Sequence, residues 1–229
     1  MPRQPRLIVL GYPYHIILRG NNRCAIFYND KDRRFFLESL KKAKEKTDSK
    51  IYAYCLMKNH VHFLIEPSRE DGLADMMQSL GRRYVPYINS VYKRTGTLWE
   101  GRYRSSLVGN DEYLTACSRY IELNPVRAKI VQYPHEYRWS SFRAKVEGKM
   151  EDFLDLDPIY IEMGKTSKER QDNYGKLVLE GTPEYELNLI RLTTQKCGII
   201  GSGSLKEKIA KLVGRSVVLR ARGRPKKSL

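Results

Sequence analysis

Two β-rich runs, residues 51–57 (IYAYCLM) and 60–65 (HVHFLI), are separated by only Lys58 and Asn59. A two-residue link between strands leaves almost no choice but an antiparallel hairpin. Phe63, Leu64 and Ile65 follow without alternation, as in a strand covered on both faces. Strand side chains alternate, so His60 and His62 share one face and Val61 takes the other. The rest of the chain must be arranged around this hairpin.

Residues 12–19 (YPYHIILR) read as a strand that ends in the turn residues Gly20, Asn21 and Asn22. A helix is expected over 30–47, capped by Asp30, with Phe35, Phe36, Leu37, Leu40 and Ala43 recurring at helical spacing. A longer helix is expected over 71–92, kinked or broken at Pro86. Residues 104–108 (RSSLV) form a further short strand. Asp111 then caps a helix that runs to Leu123 and stops at Asn124-Pro125. The order β-α-β-β-α-β-α predicts an α+β fold: a ferredoxin-like antiparallel sheet with helices on one face and one extra helix. This core is expected to end near residue 144. Residues 145–200 carry no clear pattern, the acidic stretch EDFLDLDP with Pro158 offering short helices at best, and 204–213 (SLKEKIAKLV) reads as a basic amphipathic helix. The chain therefore divides into 1–144 and a C-terminal extension, 145–229, whose last ten residues are expected to be disordered when free.

Charge narrows the function. Forty-two Lys and Arg stand against 26 Asp and Glu, a net charge of +16. Residues 204–229 hold nine bases and one acid, whereas 151–190 hold ten acids and four bases. Positive charge segregated to the tail and the first two-thirds points to a polyanionic partner, usually nucleic acid. No apolar stretch is long enough to span a membrane, and the N-terminal apolar run is too short for a secretory signal, so a cytoplasmic location is expected. Cys24, Cys55, Cys117 and Cys197 lie far apart without metal or disulfide spacing and are expected to be free, mostly buried thiols.

Two neutral imidazoles on one strand face can chelate a divalent metal. An isolated His-x-His is more often two unrelated surface histidines, but here two of only four histidines share an interior strand. In RYIELN, Tyr120 and Asn124 are four apart at a helix end and so lie on one face. An amide oxygen suits a hard cation such as Mg²⁺, and a phenol beside that cation is a usable nucleophile. The alternative is an amphipathic tyrosine and a helix-stopping Asn-Pro. Glu122 is expected to point away from that face into solvent. Basic and aromatic residues interleave in Arg19 to Arg23 with Asn21 and Asn22, in Arg82-Arg83-Tyr84, and in Trp99 through Arg104 with Arg102. Guanidinium groups neutralise phosphates and aromatic rings stack on unpaired bases. In the tail, Arg222-Gly223-Arg224-Pro225 looks like an AT-hook, with nonspecific phosphate binding an equal alternative.

Taken together, HVH on a strand, WEGRYRSSLV, RYIELNPVRA and YRWSSFRA resemble the REP-associated tyrosine transposases, single-tyrosine HUH nucleases related to the transposases of very small bacterial insertion sequences. Pro2-Arg3 and Pro5-Arg6, YHIILRGNN and DRRFFL extend the resemblance over about 2–144. The resemblance implies an HUH catalytic domain over 1–144 in which His60, His62 and Asn124 hold Mg²⁺ or Mn²⁺ and Tyr120 is the nucleophile. It further implies an N-terminal arm whose Arg3 and Arg6 read DNA beside a hairpin, and contacts from Arg19–Arg23 and Trp99–Arg104. The implied activity is cleavage and rejoining of single-stranded hairpin DNA in a bacterial, nucleoid-associated setting. A monomer is favoured, with a homodimer open. The alternative from another class is a hairpin-binding regulator that does no chemistry, and an RNA-binding module ranks last.

Overall fold

A computed structural model describes residues 6, 8–109, 112–214 and 217. The hairpin forms as the sequence requires: β2 (Lys50–Met57) and β3 (His60–Glu66) pair antiparallel, Met57 opposite His60. β1 (Tyr14–Arg19) pairs antiparallel with β3 on one side and with β4 (Arg104–Val108) on the other. The order β2-β3-β1-β4 is the ferredoxin-like arrangement expected of β-α-β-β-α-β. A fifth strand, β5 (Ile199–Ile200), adds parallel to β4 and comes from the C-terminal extension.

The α+β class is as expected. The expected helical layer is made by α1 (Asp30–Thr47) and α2 (Gly72–Val91). It packs on the Val61/Phe63 face of β3, where Phe36 stacks on Phe63 at 6.1 Å. The opposite face carries His60 and His62, and α3 (Glu112–Glu122) lies across it. The cap of α1 is Asn29 rather than Asp30: its side chain accepts from the amides of Lys31 and Asp32. The Asp32 carboxylate in turn accepts from the Asn29 amide. That reciprocal pairing needs an acid three residues after the cap, a spacing that Asn29 has. α2 runs unbroken through Pro86. Pro86 is on the exposed side, and buried Tyr84 and Ile88 hold the axis. Asp111, the expected cap of α3, is outside the described residues.

Beyond α3 the chain departs from expectation. α4 (Asn124–Arg127) is a single turn with Pro125 at its start. Residues 137–141 then lie along the edge of β2, with the Leu56 amide donating to the Trp139 carbonyl and the Ser141 amide to the Tyr54 carbonyl. The YRWSS segment thus covers an otherwise open sheet edge. After α5 (Phe142–Glu147) and α6 (Pro158–Glu162) come two full helices, α7 (Ser167–Leu179) and α8 (Glu184–Lys196), where only short ones were expected. α7 is started by a capping box from Thr166 to Glu169. It buries a stripe only Tyr174 and Val178 wide, too narrow to stand out as a helical period. α9 (Gly203–Leu212) matches the basic amphipathic helix.

A buried charge cluster ties the extension to α3. Glu122 is wholly buried, not solvated as expected. Its carboxylate accepts from the Ser141 hydroxyl at 2.6 Å and the Tyr174 hydroxyl at 2.7 Å, and lies 3.5 Å from the Lys145 ammonium. Lys145, equally buried, also reaches Asp157 at 3.5 Å. Separately, Arg119 pairs with Glu186 of α8 at 2.6 Å. Removing one partner from a buried pair leaves an uncompensated charge, whereas removing both polar ends together is mild. Lys145→Met should therefore cost about 3–5 kcal/mol of stability in denaturant unfolding. Lys145→Met combined with Glu122→Gln should recover part of that loss.

Candidate active site

The register of β1 against β3 sets His62 opposite Ile17 and Arg19 opposite His60, so these side chains share the face crossed by α3. His15 joins them on that face two residues before Ile17. The His15 and His62 rings stack at 5.1 Å, and His60 meets His62 edge-on at 5.0 Å. Tyr120, on the last turn of α3, places its ring 5.6 Å from His15 and 5.9 Å from His62. Asn124 follows one turn later. Its amide nitrogen donates back to the carbonyls of Tyr120 and Ile121 at 3.0 and 3.2 Å, which leaves Oδ1 as the free end. His60, His62, Tyr120 and Asn124 all line one cavity of about 390 Å³.

Burial disfavours the charged form of all three imidazoles. Burial, reinforced by the Arg127 charge, lowers His15 to about 3. Burial, then Arg19, lowers His60 to about 4, and burial drives His62 well below the ordinary value, with the neighbouring imidazoles adding to it. His60 has a defined tautomer. The Asn59 amide nitrogen donates to the Arg23 carbonyl, so its oxygen faces His60 Nδ1 at 2.7 Å and must accept from it. The Nε2 lone pair of His60 is then free, as metal ligation needs. Two imidazole nitrogens and an amide oxygen around one cavity fit a small divalent cation, and among the described residues no cluster of three acids, histidines or cysteines competes with them.

The cavity wall is cationic. Arg19, Arg102, Arg104 and Arg191 line it against one acid, Glu100, which sits 3.8 Å from Arg19. Arg19, Arg102 and Arg104 thus converge with the metal and tyrosine candidates. Others among the sequence candidates do not line the cavity. Arg82 and Arg83 are exposed on α2, in the layer on the other side of the sheet. Asn21, Asn22 and Arg23 form an exposed turn just past β1, where a Cβ on Gly20 would come within 2.2 Å of the Cys24 carbonyl oxygen. Trp99 is half-buried and stacks on Tyr84 at 6.2 Å. Arg6 lies over the Tyr103 ring at 3.6 Å and donates to its carbonyl at 2.7 Å, which pins the start of the chain to the loop before β4. Arg3, Arg222 and Arg224 lie outside the described residues.

Four contributors escaped the sequence reading. His15 was readable in principle: a histidine in a buried strand, on the same parity as the His60/His62 face once β1 and β3 pair. Arg127 places its guanidinium 4.2 Å from the Tyr120 ring centre and donates to the Tyr120 carbonyl at 2.5 Å, holding the ring from below. Arg191 and Thr194 come from α8, in the stretch where no long helix was expected.

The ferredoxin-like sheet thus carries paired imidazoles, an amide and a phenol around one cationic cavity. The family described as "Transposase IS200 like" matches residues 9–124, and the chain belongs to it. No curated protein sequence matches the chain. Among solved structures, a REP-associated tyrosine transposase bound to a REP hairpin aligns with a TM-score of 0.55 at 15% identity, covering 69% of this chain and 93% of that one. The tRNA(His) guanylyltransferase of Saccharomyces cerevisiae aligns with a TM-score of 0.41 at 12% identity, over 80% of this chain and 86% of that one.

Burial of a neutral histidine has a signed consequence for stability. The unfolded chain protonates His15 near pH 6.5, but the folded chain resists until about pH 3. The unfolded state therefore binds more protons in this window, and stability falls as pH drops through it. His15→Phe removes this group. Its unfolding free energy should fall less steeply than that of the wild type between pH 6.5 and 4, by about 1.4 kcal/mol per pH unit. Parallel pH profiles in denaturant melts would contradict the buried neutral ring.

Proposed function

We propose that this chain is a REP-associated type of single-tyrosine transposase that cuts and rejoins single-stranded hairpin DNA. The observation that carries the reading is the convergence of Tyr120, His60, His62 and Asn124 on one cavity walled by four arginines. A scissile phosphate entering that cavity meets Arg19, Arg102, Arg104 and Arg191, which offset its charge and fix its orientation. Mg²⁺ or Mn²⁺ held by His60, His62 and Asn124 would supply Lewis-acid polarisation of the phosphate oxygens when bound.

The Tyr120 phenol attacks phosphorus. Its Oη–P bond forms as the P–O3′ bond breaks, and the tyrosine proton is lost while the departing 3′ oxygen gains one. The products are a 5′-phosphotyrosine and a free 3′-OH. One phosphodiester is exchanged for another, so a second 3′-OH can reverse the step and join different ends without a nucleotide cofactor. Arg127 keeps the Tyr120 ring at the cavity wall throughout.

A monomer suffices, because ligands and nucleophile come from a single chain. The division of labour follows the chain: 1–144 carries the chemistry and 145–229 supports it and adds basic charge for DNA. The tail residues Arg222 and Arg224 add phosphate or minor-groove contacts in this reading.

Tyr120→Phe should bind a labelled hairpin oligonucleotide within about twofold of wild type and form no denaturation-resistant adduct. An adduct surviving in that variant would remove Tyr120 from the role, and wild-type protein that binds hairpins but never forms one would instead fit a silent regulator. Ending the chain at residue 214 removes six Lys and Arg. That truncation should flatten the slope of log affinity against log salt, by up to roughly one for each phosphate the tail neutralises.

A further inference from the structure

His15 and Thr194 have no place in the reaction as proposed, yet both are buried at its centre. His15 Nε2 lies 2.8 Å from His62 Nδ1, and His15 Nδ1 lies 3.1 Å from the Thr194 hydroxyl oxygen. The Thr194 hydroxyl in turn donates to the Ile190 carbonyl at 2.6 Å, one turn back in α8. Each hydroxyl has one proton to give. Because Thr194 gives its proton to Ile190, it can only accept from His15, so His15 carries its proton on Nδ1. A neutral imidazole holds one N–H, so His15 Nε2 is a bare lone pair and must accept from His62 Nδ1. His62 is then left with its lone pair on Nε2.

We propose that Thr194, through His15, is a positioning device that sets the tautomer of His62 and so presents its Nε2 lone pair to the cavity. The direction of the whole chain is decided at the Ile190 carbonyl, which can only accept. Reversing it would put an N–H on His62 Nε2, facing the cavity, and would set the Thr194 proton in competition with its bond to Ile190. His60 reaches the same state independently through Asn59. Both histidines of the pair thus offer Nε2, one locked by a neighbour in its own turn and the other by a helix about 130 residues further along the chain.

α8 is held in register for this task. Arg119 of α3 pairs with Glu186 at 2.6 Å, the Ser106 hydroxyl of β4 donates to the Thr193 carbonyl at 3.3 Å, and β5 pairs with β4 immediately afterwards. The C-terminal extension is therefore wired to the metal ligand by hydrogen bonds, beyond merely covering the sheet.

The consequence for metal uptake rests on the metal reading above, but the tautomer does not, and the experiment separates the two. Long-range nitrogen–proton spectra of uniformly ¹⁵N-labelled full-length protein, with His62→Ala used for assignment, report which ring nitrogen of His15 and His62 is protonated. Calorimetric titration with Mn²⁺ reports affinity. Wild type and Thr194→Ser should both show Nδ1–H on His15 and His62. Thr194→Val keeps the side-chain shape and removes the acceptor, so the His15 Nδ1–H loses its partner and the chain should reverse, with His62 protonated at Nε2. Mn²⁺ affinity should then fall about 10–100-fold, the usual cost of losing an outer-shell partner. An Nε2–H on His62 in the wild type would overturn the proposal, as would an unchanged His62 tautomer with Mn²⁺ affinity within twofold in Thr194→Val. If the wild type shows the stated tautomers and takes up no Mn²⁺, the positioning device stands and the metal reading falls.

Discussion

The antiparallel register of β1 on β3 is the constraint from which the site follows. Both strands are interior, and Tyr14, Ile16 and Leu18 with Val61, Phe63 and Ile65 face the α1/α2 layer as an apolar sheet. Alternation then forces His15, His60 and His62 onto the other face together. A one-residue slip would drive the imidazoles into the apolar layer around Phe36 and turn Ile16 and Phe63 into the cavity. The hydrophobic pairing that folds the sheet is thus the same event that assembles the polar face. A polar face inside a sheet is tolerated only where each group finds a partner. His15 does so through both ring nitrogens, with Thr194 and His62, whereas His60 and His62 bond only through Nδ1 and each keeps Nε2 for the cavity.

That requirement explains why the extension folds onto the core. α3 presents Arg119 and Glu122 on its buried side, and among the described residues their ion-pair partners lie beyond residue 144. Glu122 is answered by Lys145 and Tyr174, and Arg119 by Glu186. Tyr120 lies between these two anchors on the same helix. Its position over the sheet is therefore set from both sides by residues of the extension, and from beneath by Arg127. Buried ion pairs add little to stability relative to apolar contacts, but a misplaced helix would strand charges, so they specify one placement strongly.

How much of this was legible in the sequence depends on the range of the interaction that decides it. The hairpin, the sheet order and the His60/His62 parity follow from local pattern, and the Tyr120/Asn124 pair from helical spacing. Glu122 was misread because helical geometry alone says which way a side chain points relative to its neighbours, not what lies there. Its partners are 19 to 52 residues away along the chain. α7 and α8 were missed for the same reason. Their apolar stripes are thin because they bury charged and hydroxyl groups as well as hydrocarbon. The local signals were the capping box at Thr166 and Glu169 for α7, and for α8 Pro183 with Glu184 and Glu186 at its start and Lys196 at its end.

His15 shows where the two kinds of information meet. Read singly, it is a polar residue in a β-rich run, with no reason to be special. Once β1 is set beside β3, it is a third imidazole on a face that already holds two. Once α8 is set across that face, a threonine whose hydroxyl is committed to its own helix leaves the ring no freedom in where to carry its proton. The constraint passes from a backbone carbonyl at Ile190 to an open nitrogen on His62 through three hydrogen bonds, none of which spans fewer than four residues. A tertiary fold can specify the protonation pattern of a ligand as firmly as its coordinates. Here that specification is delivered by a segment that, judged on hydrophobic period alone, had no structural role.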